Sequence, residues 1–138
     1  MLRNASYNNK EIFNEINKLV GKPFGLKKRI QMGGTGSQRF VVKDSSHEIT
    51  RLFDLDNNIN YCNIELRNHG IIIRFRSLLE TYAWAISFDR LSLNQYTDTC
   101  FITDEEHYMH IEPAYNTSFN QEFFKKLHDM NSNHNIPT

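Results

Sequence analysis

The stretch Asp54-Leu55-Asp56-Asn57-Asn58-Ile59-Asn60-Tyr61-Cys62-Asn63-Ile64-Glu65 sets side-chain oxygens at the spacing of a twelve-residue calcium loop. Asp54, Asp56, Asn58 and Glu65 take positions one, three, five and twelve, and Glu65 would be the bidentate ligand. Position six needs glycine for the sharp turn and holds β-branched Ile59. The exit helix would also have to start in a β-rich run. The stretch therefore reads as a polar Asx-rich turn between strands, and no metal or other cofactor is expected. His107 and His110 are three apart. On a strand that spacing puts them on opposite faces, where one ion does not reach both, so two surface histidines are expected. Gly34-Thr35-Gly36 lacks the third glycine of a dinucleotide loop, with Arg39 in its place, and no Gly-Lys-Ser/Thr follows. Cys62 and Cys100 begin no helix that would lower a thiol pKa, and the serines lack a nucleophile-elbow context. No residue is assigned a catalytic role, and binding is the expected business of the chain rather than chemistry. The basic cluster Lys22, Lys27, Lys28 and Arg29, with Phe24 among it, has the residue types for an anionic partner.

These residues sit in a chain of 138 residues, the length of one domain or of a domain with an arm. Hydrophobic residues make 39%, below the roughly 45–50% of globular chains, so a thin core is expected. Aromatics at 12% argue against disorder. No apolar run approaches the roughly 18 residues that cross a bilayer. The first residues carry no apolar segment of a secretory signal, and two cysteines make no disulfide framework; both are expected as reduced, buried thiols in the cytoplasm, a single bridge between them being the alternative if their strands are neighbours. Net charge is zero, but it is unevenly placed. Residues 1–43 hold nine Lys/Arg against two acids, a balance of +7; residues 44–138 hold seven against fourteen, a balance of −7. The simpler expectation is that the basic segment lies on the acidic remainder; the other is a basic arm that meets an anionic partner.

Hydrophobic spacing predicts the elements. Ile12, Phe13, Ile16, Leu19 and Val20 make a helical stripe over 8–20, with Asn8 and Glu11 as a capping pair and Gly21 as the stop. Gly21, Pro23, Gly25 and the run Gly33-Gly34-Thr35-Gly36-Ser37 punctuate 21–37, and Gln31 to Gln38 reads as a flexible connection, so residues 1–37 are an arm and linker and 38–138 the body. From Gln38 the period falls to two. Strands are expected at 38–43, 61–67, 71–76, 81–88 and near 99–103 and 107–112; β-branched Ile49 and Thr50 tip 46–55 toward strand. Asn68-His69-Gly70 reads as a three-residue hairpin loop with Gly70 free for positive φ. Tyr82, Trp84, Ile86 and Phe88 share one face, and small Ala83, Ala85 and Ser87 open the other to close packing. Phe119, Phe123, Phe124, Leu127 and Met130 predict a last helix over 117–131, capped by Ser118 with Gln121. The class is α+β: an antiparallel meander of six or seven strands, a half-barrel closed by a C-terminal helix.

Over residues 40–131 this order resembles the pleckstrin-homology-like superfamily. The pieces that carry the likeness are Ile64-Glu65-Leu66 leading into Gly70-Ile71-Ile72-Ile73-Arg74, then Trp84-Ala85-Ile86-Ser87-Phe88-Asp89-Arg90-Leu91, then the Phe-rich helix. The resemblance implies two bent sheets, a helix plugging one opening, and a binding or scaffolding role toward phospholipid headgroups or peptides. Its lipid-binding members grip phosphates with basic residues of the first hairpin; here the nearest are Arg67, His69, Arg74 and Arg76, and Arg74 and Arg76 share a face. The expected function is protein–protein association, self-association through a sheet edge or exchanged arm included. The alternative is an anionic-ligand binder, of lipid headgroup or nucleic acid, through Lys27, Lys28, Arg29, Arg74 and Arg76. An enzyme with a site on the barrel rim is the third reading.

Overall fold

A computed structural model of the chain describes residues 1–6, 9–55 and 59–134. In chain order its elements are β1 (Leu2–Asn4), α1 (Lys10–Val20), α2 (Leu26–Met32), β2 (Phe40–Ser45), α3 (His47–Asp54), β3 (Tyr61–Arg67), β4 (Gly70–Ser77), β5 (Glu80–Ser87), β6 (Ser92–Gln95), β7 (Cys100–Thr103), β8 (Tyr108–Pro113) and α4 (Gln121–His134). The fold is α+β. All eight strands form one antiparallel sheet in the order β1-β5-β4-β3-β2-β8-β7-β6. The run β2 to β8 is the expected meander, and β1 adds a strand from the arm.

Alternation decides which side is core. Cys62, Ile64 and Leu66 of β3, Ile71, Ile73 and Phe75 of β4, and Trp84 and Ile86 of β5 point to one buried face. Helix α4 covers that face with Phe123, Phe124 and Leu127, and the preceding Phe119 joins them; Phe40 packs between the rings of Phe119 and Phe124 at 5.9 and 6.0 Å. The sheet bends into an unclosed half-barrel. Where its two ends approach, side chains bridge the gap: the Trp84 indole N–H donates to Asp104 Oδ2 at 2.9 Å, and the His107 ring stands edge-on to Trp84 at 5.9 Å.

The other side of the sheet carries α1. Ile16 and Val20 bury against Ile72, Ala83 and Ala85, so the small residues of β5 do admit a helix. Full burial of each of the two helix residues contributes about 1.5–3 kcal/mol. Gly70 is required here for space: a Cβ on it would stand 2.2 Å from the Ile86 carbonyl oxygen and 2.7 Å from Val20 Cγ1. The expected loop is therefore corrected. Gly70 is a strand residue paired with Arg67 and Ser87, and the turn is Asn68-His69 alone.

Four further expectations change. Residues 46–55 hold a helix, not a strand. Ile49 and Phe53, four apart, reach the core on one helical face, and the Phe53 ring packs at a tilt against Phe75 at 4.9 Å, which outweighs the β-propensity of Ile49 and Thr50. The connection expected to be flexible over Gln31 to Gln38 is held in place. It begins at the end of α2, whose C-terminal Gly33 adopts φ +75° and, with Gly34, returns N–H bonds to Ile30 and Arg29. Thr35 and Ser37 then bond to β3, where Leu66 N donates to the Thr35 carbonyl and Ser37 N to the Ile64 carbonyl, both at 2.8 Å. The cap of α1 is Asn9, whose Oδ1 accepts from Glu11 N and Ile12 N at 3.0 and 3.3 Å; Asn8 lies outside the described residues. The cap of α4 is Asn120, not Ser118, and the Gln38 side chain ties that corner by accepting from Asn120 N and donating to the Ser118 carbonyl.

Candidate functional site

The polar lattice lies on the outer face of β3 and β4, on the part that α1 leaves uncovered. Along β3 the outward residues are Tyr61, Asn63, Glu65 and Arg67; across from them on β4 stand Ile72, Arg74 and Arg76. Glu65 sits between two guanidinium groups, accepting from Arg67 Nε on one oxygen and from Arg74 Nη1 on the other. Arg67 is buried. Its Nη1 donates to Asn17 Oδ1 at 2.9 Å and to the Gly21 carbonyl at 2.8 Å, which ties the end of α1 to the sheet. Burial alone would raise the Glu65 carboxyl, but the bonds and charges of Arg67 and Arg74 hold it below the usual carboxylate range.

Two cavities open beside this lattice. The first, of about 610 Å³, lies between the end of α1, the Pro23-Phe24 turn, α2 and β3; Phe13, Phe24 and Arg29 face it, with Glu65 and Arg67 at its base. The second, of about 560 Å³, reaches toward the β4–β5 turn and is lined by the polar groups of Arg39, Arg76 and Tyr61 and by apolar Ile59, Leu78 and Leu79. Asn63 and Arg74 line both, so the two make one trough along the outer face. In the second cavity Arg39 is held over the Tyr61 ring, 5.0 Å from its centroid, and donates to Tyr115 Oη at 3.1 Å. The two-residue turn at its far end has Leu78 at φ +56°, a conformation unusual for a branched residue, and leaves Leu79 87% exposed.

Helix α2 forms one wall without burying a single residue. Leu26 and Ile30, four apart, are 68% and 71% exposed. Its C-terminal end is anchored twice: partly buried Met32 packs against the core, and Lys126 Nζ of α4 donates to the Met32 and Gly34 carbonyls at 3.1 and 3.0 Å.

The residues singled out from the sequence fall as follows. Arg29 and Arg74 share the first cavity, and Arg74 and Arg76 the second. Lys27 and Lys28 are exposed on α2 and line neither. Arg39 was not foreseen as a site residue; its one signal is its place directly before inward Phe40, which turns it outward. Of the calcium-loop pattern, Asp54 ends α3 and Glu65 is committed to arginines, while Asp56 and Asn58 lie outside the described residues. His107 and His110 do take opposite faces, but His107 is buried rather than at the surface. Its position keeps step with inward Met109 and Ile111, and its Nδ1 lies 3.2 Å from both Ser46 Oγ and Glu48 Oε2. His110 stacks on Phe101 at 4.4 Å. Cys62 and Cys100 are free and buried on strands that do not pair. Burial pushes both thiols up, Cys100 to about 12 and Cys62 higher still. Among the described residues no helix is long and apolar enough to cross a membrane.

No family model matches the chain, and no curated protein or solved structure matches it either.

Proposed function

We propose that this protein is a non-enzymatic binding module on a pleckstrin-homology-like half-barrel, and that it associates with another protein by taking an extended acidic segment along the outer-face trough. The observation that carries the reading is α2: a helix anchored by Lys126 that nevertheless turns Leu26 and Ile30 to solvent beside a groove lined by cations. Scattered exposed apolar residues are ordinary, but a pair on one helical face next to a concave surface suits a partner's apolar side chain. Arg29, Arg39, Arg74 and Arg76 supply the charge that selects an acidic one, with Glu65 the single carboxylate among the described lining residues. Seven meander strands followed by a helix packed over the core support the superfamily assignment. Two thiols kept buried and unpaired suit the reducing cytoplasm.

The test is fluorescence anisotropy with short labelled peptides of alternating Glu and Leu. Saturable binding that weakens with salt is expected, together with its loss in Ile30→Asp and Arg29→Glu variants that melt like the parent. No binding at low salt, or binding indifferent to both substitutions, overturns the reading.

A further inference from the structure

The outer face of the sheet continues past β2 onto β8, β7 and β6, and there its charge reverses. Residues 92–113, which hold these three strands, contain five carboxylates and no lysine or arginine. We infer that this face binds an arginine-rich segment of a partner protein. The inference concerns a surface separate from the trough and does not depend on it.

Strand parity fixes which side chains are offered. Cys100, Ile102, Met109 and Ile111 belong to the core, so Phe101, Tyr108, His110 and Glu112 stand on the outer side. Register carries a row across the strands: Phe101 lies opposite Asn94 on β6 and His110 on β8, and His110 lies opposite Asp44 on β2. Three rings in and beside this row remain open to solvent, Tyr96 at 62%, Phe101 at 40% and Tyr108 at 42%. Exposed apolar groups gathered on neighbouring strands mark an interaction surface, where single ones do not. These rings are also held in place. His110 stacks on Phe101 at 4.4 Å, Tyr96 stands edge-on to the same ring at 6.1 Å, and Tyr108 Oη donates to Asp44 Oδ2 at 3.4 Å. Side chains already tied to neighbours lose less rotamer freedom on binding. The carboxylates then select the occupant. Glu105 is paired with Arg90, and Asp104 is turned to Trp84. Asp44, Asp98 and Glu112 meet no lysine or arginine among the described residues. Unneutralised acids among stacked rings repel a polyanion and attract a cation. A guanidinium suits both parts of the surface, since its plane stacks on a ring and its fork takes a carboxylate; a lysine ammonium supplies only a point charge. An extended segment crossing β8, β7 and β6 travels about 10 Å, or about three residues, so arginines at alternate positions face the sheet together.

The experiment titrates the full chain into labelled peptides of alternating Arg and Ser and of alternating Lys and Ser, read by anisotropy at low and moderate salt and by amide NMR shifts. The Arg/Ser peptide is expected to bind saturably, more tightly than the Lys/Ser peptide, with shifts confined to β2 and β6 to β8 and with affinity that falls as salt rises. Tyr96→Ser and Tyr108→Ser, checked to melt like the parent, each lower affinity roughly two- to fivefold, the size of an exposed cation–ring contact. Glu112→Gln lowers it as well, whereas Glu122→Gln, which removes an exposed acid from α4, leaves it unchanged. No saturable binding, equal affinity for the two peptides, or equal losses from Glu112→Gln and Glu122→Gln overturns the inference. Tighter binding of oligothymidylate than of the Arg/Ser peptide replaces the partner with single-stranded nucleic acid. A mass that grows with concentration and falls back on Tyr96→Ser gives the face to a second copy of the chain instead.

Discussion

Glu65 and Arg67 concentrate the charge energetics of the outer face in two side chains. Arg67 is buried, and its partners come from three places: Glu65 on its own strand, the Asn17 amide on α1, and the Gly21 carbonyl. Removing it leaves a partly buried carboxylate with one arginine fewer and a helix end without its donor. Arg67→Leu is therefore expected to lower stability by about 3 kcal/mol in urea unfolding. The acid limb of the stability profile follows from the same group. Glu65 and Asp104 are both held below their ordinary range. Burial opposes this in each, and it is overcome at Glu65 by the two arginines and at Asp104 by the Trp84 indole and the His107 and Glu106 amides. Their contribution is full above the ordinary carboxylate range and is lost as pH falls below about 4 toward their depressed folded values. Glu65→Gln should flatten that limb in thermal melts at stepped pH, and an unaltered limb would contradict the assignment. The buried thiols make a second check: neither should react with a thiol reagent at neutral pH until the chain is unfolded.

At the level of elements, patterns that bury a face were legible and patterns that do not were not. Alternation in 61–67, 71–76 and 81–88 is visible because every second side chain meets the core. The small residues Ala83 and Ala85 announced a helix for the same reason, since only a close neighbour needs them small. Helix α2 announces little, because its Leu26 and Ile30 touch no core; its last residue, Met32, alone packs against the core, and Lys126, far along the chain, holds that end. Helix α3 was obscured by β-branched residues whose propensity is weaker than the pull of Phe75 on Phe53. Gly70 was marked correctly as special and for the wrong reason: positive φ is a local property, whereas the Ile86 carbonyl that excludes a side chain belongs to another strand. The trough shares that difficulty. Arg74 and Arg76 could be paired by parity, but Arg39 joins them only through strand pairing. Lys126→Met should loosen α2 alone. Amide exchange over 26–32 is expected to quicken while the global unfolding midpoint moves little; a large fall in that midpoint would mean that α2 is part of the cooperative core. The β4–β5 turn allows a converse test. Leu78→Gly relieves the left-handed backbone and should stabilise by about 1 kcal/mol while removing one apolar side chain from the lining of the second cavity.

The molecule as a whole exposes little edge for pairing with a copy of itself. Its outer strands are β1, with three residues, and β6, with four. The segment expected as an exchanged arm is spent on its own body, with β1 paired to β5 and α1 packed on the same strand. Light scattering across concentration is expected to report monomer mass, with the peptide as the partner. A dimer that dissociates on adding the Glu/Leu peptide would make a second copy the occupant of the trough instead.

The half-barrel also contains its own optical gauge. Trp84 is the one tryptophan of the chain, and it donates to Asp104 where the curled sheet comes nearest to meeting itself. Its emission thus reports on that junction along with the core around the buried ring. Asp104→Asn, which keeps the shape and discards the charge, should change the colour and lifetime of that signal while the pairing of β3 with β4 stays in place. Anything that pries the rim apart, whether mild acid or a wedge-like binding partner, would then be seen by spectroscopy before the core gives way.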